Sequence, residues 1–193
     1  MISITWLWFT CQWFLEQIFS MREDIPLPGT TKARLIAAGI QHFSQHSYDE
    51  VDVDSVAADA GVTTGSLYHH FQSKKAFYGV LRDDMTRRIL DRMEAASESV
   101  PPERAVKAAL LAAYDGVLRI KAGKLLTEPD PRGGEDPIAC LLGELAAKNG
   151  IVAADIVGIL LAAALRAALT QALNGHSEAR QALEVLSISE SPA

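Results

Sequence analysis

The sequence predicts an all-α protein: an N-terminal three-helix unit containing a helix-turn-helix, followed by a larger C-terminal helical domain. Three observations carry this expectation. Apolar residues recur at helical spacing, most plainly in Phe77, Leu81, Met85, Ile89 and Met93, which repeat every four residues. Residues 53–77 hold two short helical segments separated by a glycine turn. No strand-like alternation of any length interrupts the 193 residues, and the 49% hydrophobic content is enough to bury a core in one domain or two small ones.

Residues 1–30 read as a leader and N-terminal arm. Trp6, Trp8, Trp13, Phe9, Phe14 and Phe19 crowd a stretch whose only charge is Glu16. It lacks the basic start and small-residue cleavage site of a signal peptide, and Thr10, Gln12, Glu16 and Gln17 interrupt it as a membrane span. Two readings stay open. Residues 1–20 form an amphipathic helix docked on the body or a membrane surface, or they are an upstream extension with Met21 as the natural start. The composition break at Met21 favours the second.

Thr31 to Gln45 reads as the first helix, with Leu35, Ile36, Ile40 and Phe43 on its apolar side. Asp52 or Asp54 can cap the second, because a carboxylate there accepts free backbone N–H groups and meets the positive end of the helix dipole. Val53, Val56, Ala57 and Ala60 follow at helical spacing. Gly61 stands where a left-handed residue is needed, and Thr63 can cap the third helix. In that helix Val62, Leu67 and Phe71 are spaced to point inward, leaving Thr64, Ser66, Tyr68, His69 and His70 for the outer and flanking faces. Hydroxyls, imidazoles and a phenol are poor core material and suit the edges and phosphates of a DNA groove.

Ser73 opens a long fourth helix to about Ser97, where Arg82, Arg87, Arg88 and Arg92 alternate with Asp83, Asp84 and Asp91 on what reads as a solvated face. Pro101-Pro102-Glu103 starts a helix to Ile120. Ala122 to Pro137, with three prolines and three glycines, reads as a loop, and Ile138 to Asn149 as a shorter helix. Ala154 to Leu173 is the most apolar helix and requires cover on every side. A second subunit is the expected cover, with Ala162, Ala163, Ala164, Ala167 and Ala168 allowing close approach. A last helix runs from Ser177 to Leu186. Residues 31–76 are thus read as the helix-turn-helix domain and 77–193 as a helical effector-binding and dimerisation domain.

Residues 34–77 resemble the DNA-binding domain of the TetR family of transcriptional regulators. The likeness rests on Arg34-Leu-Ile-Ala-Ala, Phe43, Tyr48, Val56-Ala57, Ala60-Gly61-Val62, Leu67-Tyr68-His69-His70-Phe71 and Ser73-Lys74. Gly39, Ser47, Val51 and Asp52 depart from the usual pattern. The resemblance implies a homodimer whose third helix enters the major groove, with Thr64, Gly65, Ser66 and His69 near bases, Tyr68, His70 and Lys74 on phosphates, and Thr63 also in the DNA-binding set. It also implies a small-molecule effector. The expected function is a ligand-responsive, sequence-specific repressor that releases a palindromic double-stranded DNA operator when a small apolar or aromatic effector binds.

The alternative, a small helical enzyme, finds none of the nucleophile, zinc or phosphate-loop motifs. No cofactor, no metal and no stable membrane association are expected. Cys11 and Cys140 make neither a disulfide framework nor a zinc site, which fits a reducing cytoplasm. The net charge of -6 argues against a general nucleic-acid coat and for a localised binding face. That face is thinly charged, since Lys32, Arg34, Lys74 and Lys75 stand against Asp49, Glu50, Asp52, Asp54 and Asp59 between Thr31 and Val80.

Overall fold

The computed structural model describes residues 29–185, and all regular structure among them is helical. The expectations for the Trp-rich leader and for Leu186 fall outside these residues. Three helices form the N-terminal unit: α1 (Thr31–Gln45), α2 (Val53–Asp59) and α3 (Thr64–Phe71). Each begins where a side chain takes up a free backbone N–H. Thr30 accepts from Ala33, Asp52 from Asp54 and Thr63 from Ser66, each at 3.2 Å. Gly61, with φ of +64°, ends α2 in the left-handed conformation and turns the chain into α3.

The long α4 (Lys74–Glu98) belongs to both halves of the molecule. Ser73 caps it through the Ala76 N–H at 3.0 Å. Its Phe77, Tyr78 and Leu81 are buried with Leu35 and Phe43 of α1, and the Phe43 and Tyr78 rings meet edge to face at 5.0 Å. Gly39 of α1 is explained by this packing. A Cβ there would lie 2.4 Å from the Phe77 ring and 2.7 Å from Leu81, so only glycine lets α4 press so closely. Farther along α4, Met85, Ile89 and Met93 continue the buried stripe into the C-terminal domain, as their spacing predicts.

There α4 packs along α5 (Pro102–Arg119), and α7 (Pro137–Lys148) along α8 (Ala154–Leu173), with α9 (Ala179–Val185) against α5 and α8. At the α7–α8 crossing Gly158 and Gly143 bring two backbones together. Two expectations need correction. The supposed loop after Ala122 contains a short helix, α6 (Gly123–Thr127), wedged against α1 so tightly that a Cβ on Gly123 would lie 2.3 Å from the Ser44 carbonyl oxygen. Its five residues are too few to produce a periodic signal.

The second correction concerns the charged side of α4, which is not simply solvated. Arg82 donates to the Leu125 carbonyl at 2.6 Å and to the Tyr78 hydroxyl at 3.0 Å, and its side chain is only 13% exposed. Arg132 lies across α4, bonded to Asp83 at 2.6 and 2.8 Å and to Asp130 at 2.7 Å. It occupies the space a side chain at Gly79 would fill. Residues 128–136 therefore form a strap over α4.

Candidate nucleic-acid interface

The third helix has two unlike sides. Leu67 and Phe71 are buried, and with 3.6 residues per turn Gly65 and His69 fall on the opposite side, both exposed. Tyr68, 43% exposed, and His70 flank them, while Thr64 and Ser66 are half-buried at the helix start. Thr63 is exposed and its hydroxyl is committed to the Ser66 N–H. Tyr68, His69 and His70 thus project from a helix whose inner side is anchored, and the His69 and His70 rings meet edge to face at 5.5 Å. Around Gly65 the surface is open, for an added Cβ would meet only the Thr63 hydroxyl oxygen, at 3.8 Å. A nucleic-acid backbone or base can approach the main chain there.

Lys74, the first residue of α4, stands beside this helix. Its ammonium lies 4.7 Å from the centre of the Tyr48 ring and 3.5 Å from the Asp49 carbonyl oxygen, which fixes it near the α4 N-terminus. A cation and free N–H groups at one helix start suit a phosphate.

Four acids of this unit have structural employment, and of these roles the sequence announces only the Asp52 cap. Asp52 caps α2, where its bond from the Asp54 N–H holds its carboxyl below the ordinary range. Asp59 pairs with His42 of α1 at 2.7 Å. Glu50 accepts the Ser47 N–H at 2.8 Å and neighbours Lys124 of α6, and those hydrogen bonds with the Lys124 charge lower its carboxyl to about 2. Asp54 accepts the Thr64 hydroxyl at 2.5 Å. That pair is invisible to periodicity because its members lie ten residues apart on different helices.

The sequence comparisons agree with this geometry. Residues 35–80 match the model of the bacterial regulatory proteins of the tetR family. The match to that family spans the helix-turn-helix unit and the start of α4, about a quarter of the chain. It is 38% identical over 92 residues to the HTH-type transcriptional repressor DhaR of Mycobacterium sp. strain GP1, covering 44% of this chain and 46% of that protein. It is 30% identical over 125 residues to the tetracycline repressor protein class G of Vibrio anguillarum, covering 58% and 56%. The chain therefore spans about half the length of these curated relatives. The whole fold resembles a TetR-like transcriptional regulator from Rhodococcus sp. RHA1, with a TM-score of 0.65 at 20% identity over 84% of this chain and 96% of that one.

A second feature lies about the middle of α4. An open cleft of about 520 Å³ is walled by Arg82 and Thr86 of α4, Leu126 of α6, the strap, Ile138 of α7 and Arg166 of α8. Its charges are paired: Arg82 with Asp130 at 3.3 Å, Arg132 with Asp83 and Asp130, Arg166 with Asp136. Burial raises the Asp130 carboxyl, but hydrogen bonds from Arg132 and the charges of Arg132 and Arg82 outweigh it, and the net shift is downward. Met93 and Tyr114 are buried in the core, and neither they nor Cys140 line this cleft.

Proposed function

We propose that the protein is a ligand-responsive, sequence-specific transcriptional regulator, a homodimer that represses by occupying a palindromic operator and lets go when a small effector binds. The observation that carries this reading is the outer side of α3, where Gly65, Tyr68, His69 and His70 are exposed on a helix locked from behind by Leu67 and Phe71. The named relatives are transcriptional repressors, which favours this reading over a small helical enzyme.

Dimerisation is supported by α8. Its Leu161, Leu165 and Leu169 are buried, while Ile156, Ile159 and Leu160 remain 55%, 60% and 63% exposed on the other side, beside exposed Ala163 and Ala167. Three such side chains per subunit offer roughly 6–10 kcal/mol across a two-fold axis. Association costs about 4–15 kcal/mol, so close packing at the alanines must add to the contact. By length and composition α8 is also the one helix among the described residues able to cross a membrane. The backbone-close seating on α7 and the Arg166–Asp136 pair favour an interface between subunits over a bilayer, and with it a cytoplasmic place of work.

The cleft supplies a route from effector to DNA. Its α4 wall carries Phe77 and Tyr78 into the core of the reading unit, and its strap reaches that unit directly, since Glu128 accepts the Tyr48 N–H at 3.4 Å. Leu126, Pro129, Pro137 and Ile138 suit an apolar or aromatic body, and the paired arginines add polar anchors. An effector that parts the strap from α4 changes the separation of two recognition helices that must meet half-sites about 34–36 Å apart. Selecting bound fragments from a random duplex pool tests the reading: a palindrome supports it, and recovery of no sequence above background overturns it.

A further inference from the structure

The Asp54–Thr64 pair at the start of the reading surface carries a prediction about which bases are read, and it rests on the DNA-binding reading above. Thr64 is the first residue of α3 and Asp54 lies in the first turn of α2, so two capped helix starts hold the two side chains in place. Their oxygens are 2.5 Å apart, a short charge-assisted contact. A carboxylate carries no hydrogen, so the single hydroxyl hydrogen of Thr64 is the one shared, and it points at Asp54. What this pair then offers to an approaching molecule is lone pairs alone. Asp54 is exposed and Thr64 half-buried, on the flank of α3 that also carries Tyr68.

We propose that Asp54 is a positioning residue for base recognition: it fixes Thr64 as an acceptor, so that the half-site position facing the pair is read as an amino-bearing edge, cytosine or adenine. In the major groove the base donors are the N4 amino group of cytosine and the N6 amino group of adenine. Guanine offers O6 and N7 and thymine O4, all acceptors, which would face oxygen lone pairs with no hydrogen between them. The same bond keeps the Asp54 charge engaged with the protein.

The test is selection from a random duplex pool with the full chain and with Asp54→Asn, Asp54→Ala, Thr64→Val and Thr64→Ser, each checked by thermal melting. The wild type is expected to show cytosine or adenine at one symmetric position of each half-site. Asp54→Asn keeps the shape and an acceptor for Thr64 while adding an amide donor, so preference at that position should shift toward guanine or thymine by about tenfold. Asp54→Ala frees the hydroxyl to donate or accept, and with Thr64→Val it should flatten that position alone. Thr64→Ser should retain the wild-type choice. If Asp54→Asn and Thr64→Val select the wild-type sequence with only a uniform change in affinity, Asp54 merely braces α2 against α3 and the inference is wrong. Failure of the wild type itself to select any site would instead overturn the DNA-binding reading. Should Asp54→Ala not fold, the near-isosteric Asn variant decides.

Discussion

Replacing Gly158 with alanine should destabilise the protein, although the substitution favours a helix. In an unobstructed helix interior the change from glycine to alanine gains about 0.5–1 kcal/mol. Here the new Cβ would lie 2.2 Å from the Ala139 carbonyl oxygen, 2.6 Å from the Gly143 nitrogen and 2.9 Å from the Gly143 Cα. All three are backbone atoms of α7 and cannot swing aside as a side-chain end can. To reach ordinary contact α8 must retreat by roughly an ångström, an overpacking that typically costs about 1–3 kcal/mol. The upper part of that range applies where main chain meets main chain, leaving a net loss of about 1–2 kcal/mol. Urea unfolding should show the midpoint fall with little change in slope. Exposed Ala95→Gly on α4, away from that crossing and from the proposed dimer surface, is the control, losing at most the propensity difference of about 1 kcal/mol. A Gly158→Ala protein as stable as the wild type would refute the reasoning, because it would mean that the two helices do not meet backbone to backbone.

Three other outcomes follow from the same structure. A charge at Ala163 or Ala167, as in Ala163→Asp, should split the dimer and abolish operator binding together, seen by sedimentation and by DNA titration; a variant that stays dimeric would remove the exposed side of α8 as the interface. Lys74→Ala should weaken all duplexes alike and flatten the plot of log K against log salt by about two units for a dimer, one phosphate per subunit. Arg132→Ala should cost about 1–3 kcal/mol by leaving Asp83 without its partner and Asp130 with Arg82 alone, and should expose residues 128–136 to protease. As for pH, the Asp130 carboxyl is depressed in the folded state, so its contribution is complete above the ordinary carboxylate value of about 4 and is lost as pH falls through its lower folded value. Strap opening, followed by proteolysis, should thus be flat from about pH 5 to 8 and rise only in stronger acid.

The sequence is most legible where local chemistry alone decides the structure. Asp52, Gly61, Thr63 and Ser73 announce the helix starts and the turn through caps and a left-handed residue, and the structure has each in that role. The α4 stripe is equally plain, because burial on one side imposes a period. What escapes notice depends on partners far along the chain. Arg82 reads as solvated until Asp130 and the Leu125 carbonyl close over it. Gly79 looks like a weak point in a helix until Arg132 fills its place. The uninterrupted apolar run of α8 conceals that only one side is covered within the subunit, since composition cannot say which of two apolar sides meets α7. Thr64 reads from the sequence as a base-facing residue, but nothing in the spacing shows that Asp54 takes its only hydroxyl hydrogen.

The central claim is that α3 and the start of α4 read DNA, and footprinting of a selected duplex tests it most directly. The wild type should protect two half-sites about one helical turn apart, while a Tyr68→Ala, His69→Ala, Lys74→Ala triple variant that melts like the wild type should protect neither. Protection by that variant at the same sites and concentrations would contradict the account, since the DNA would then be read by some other surface.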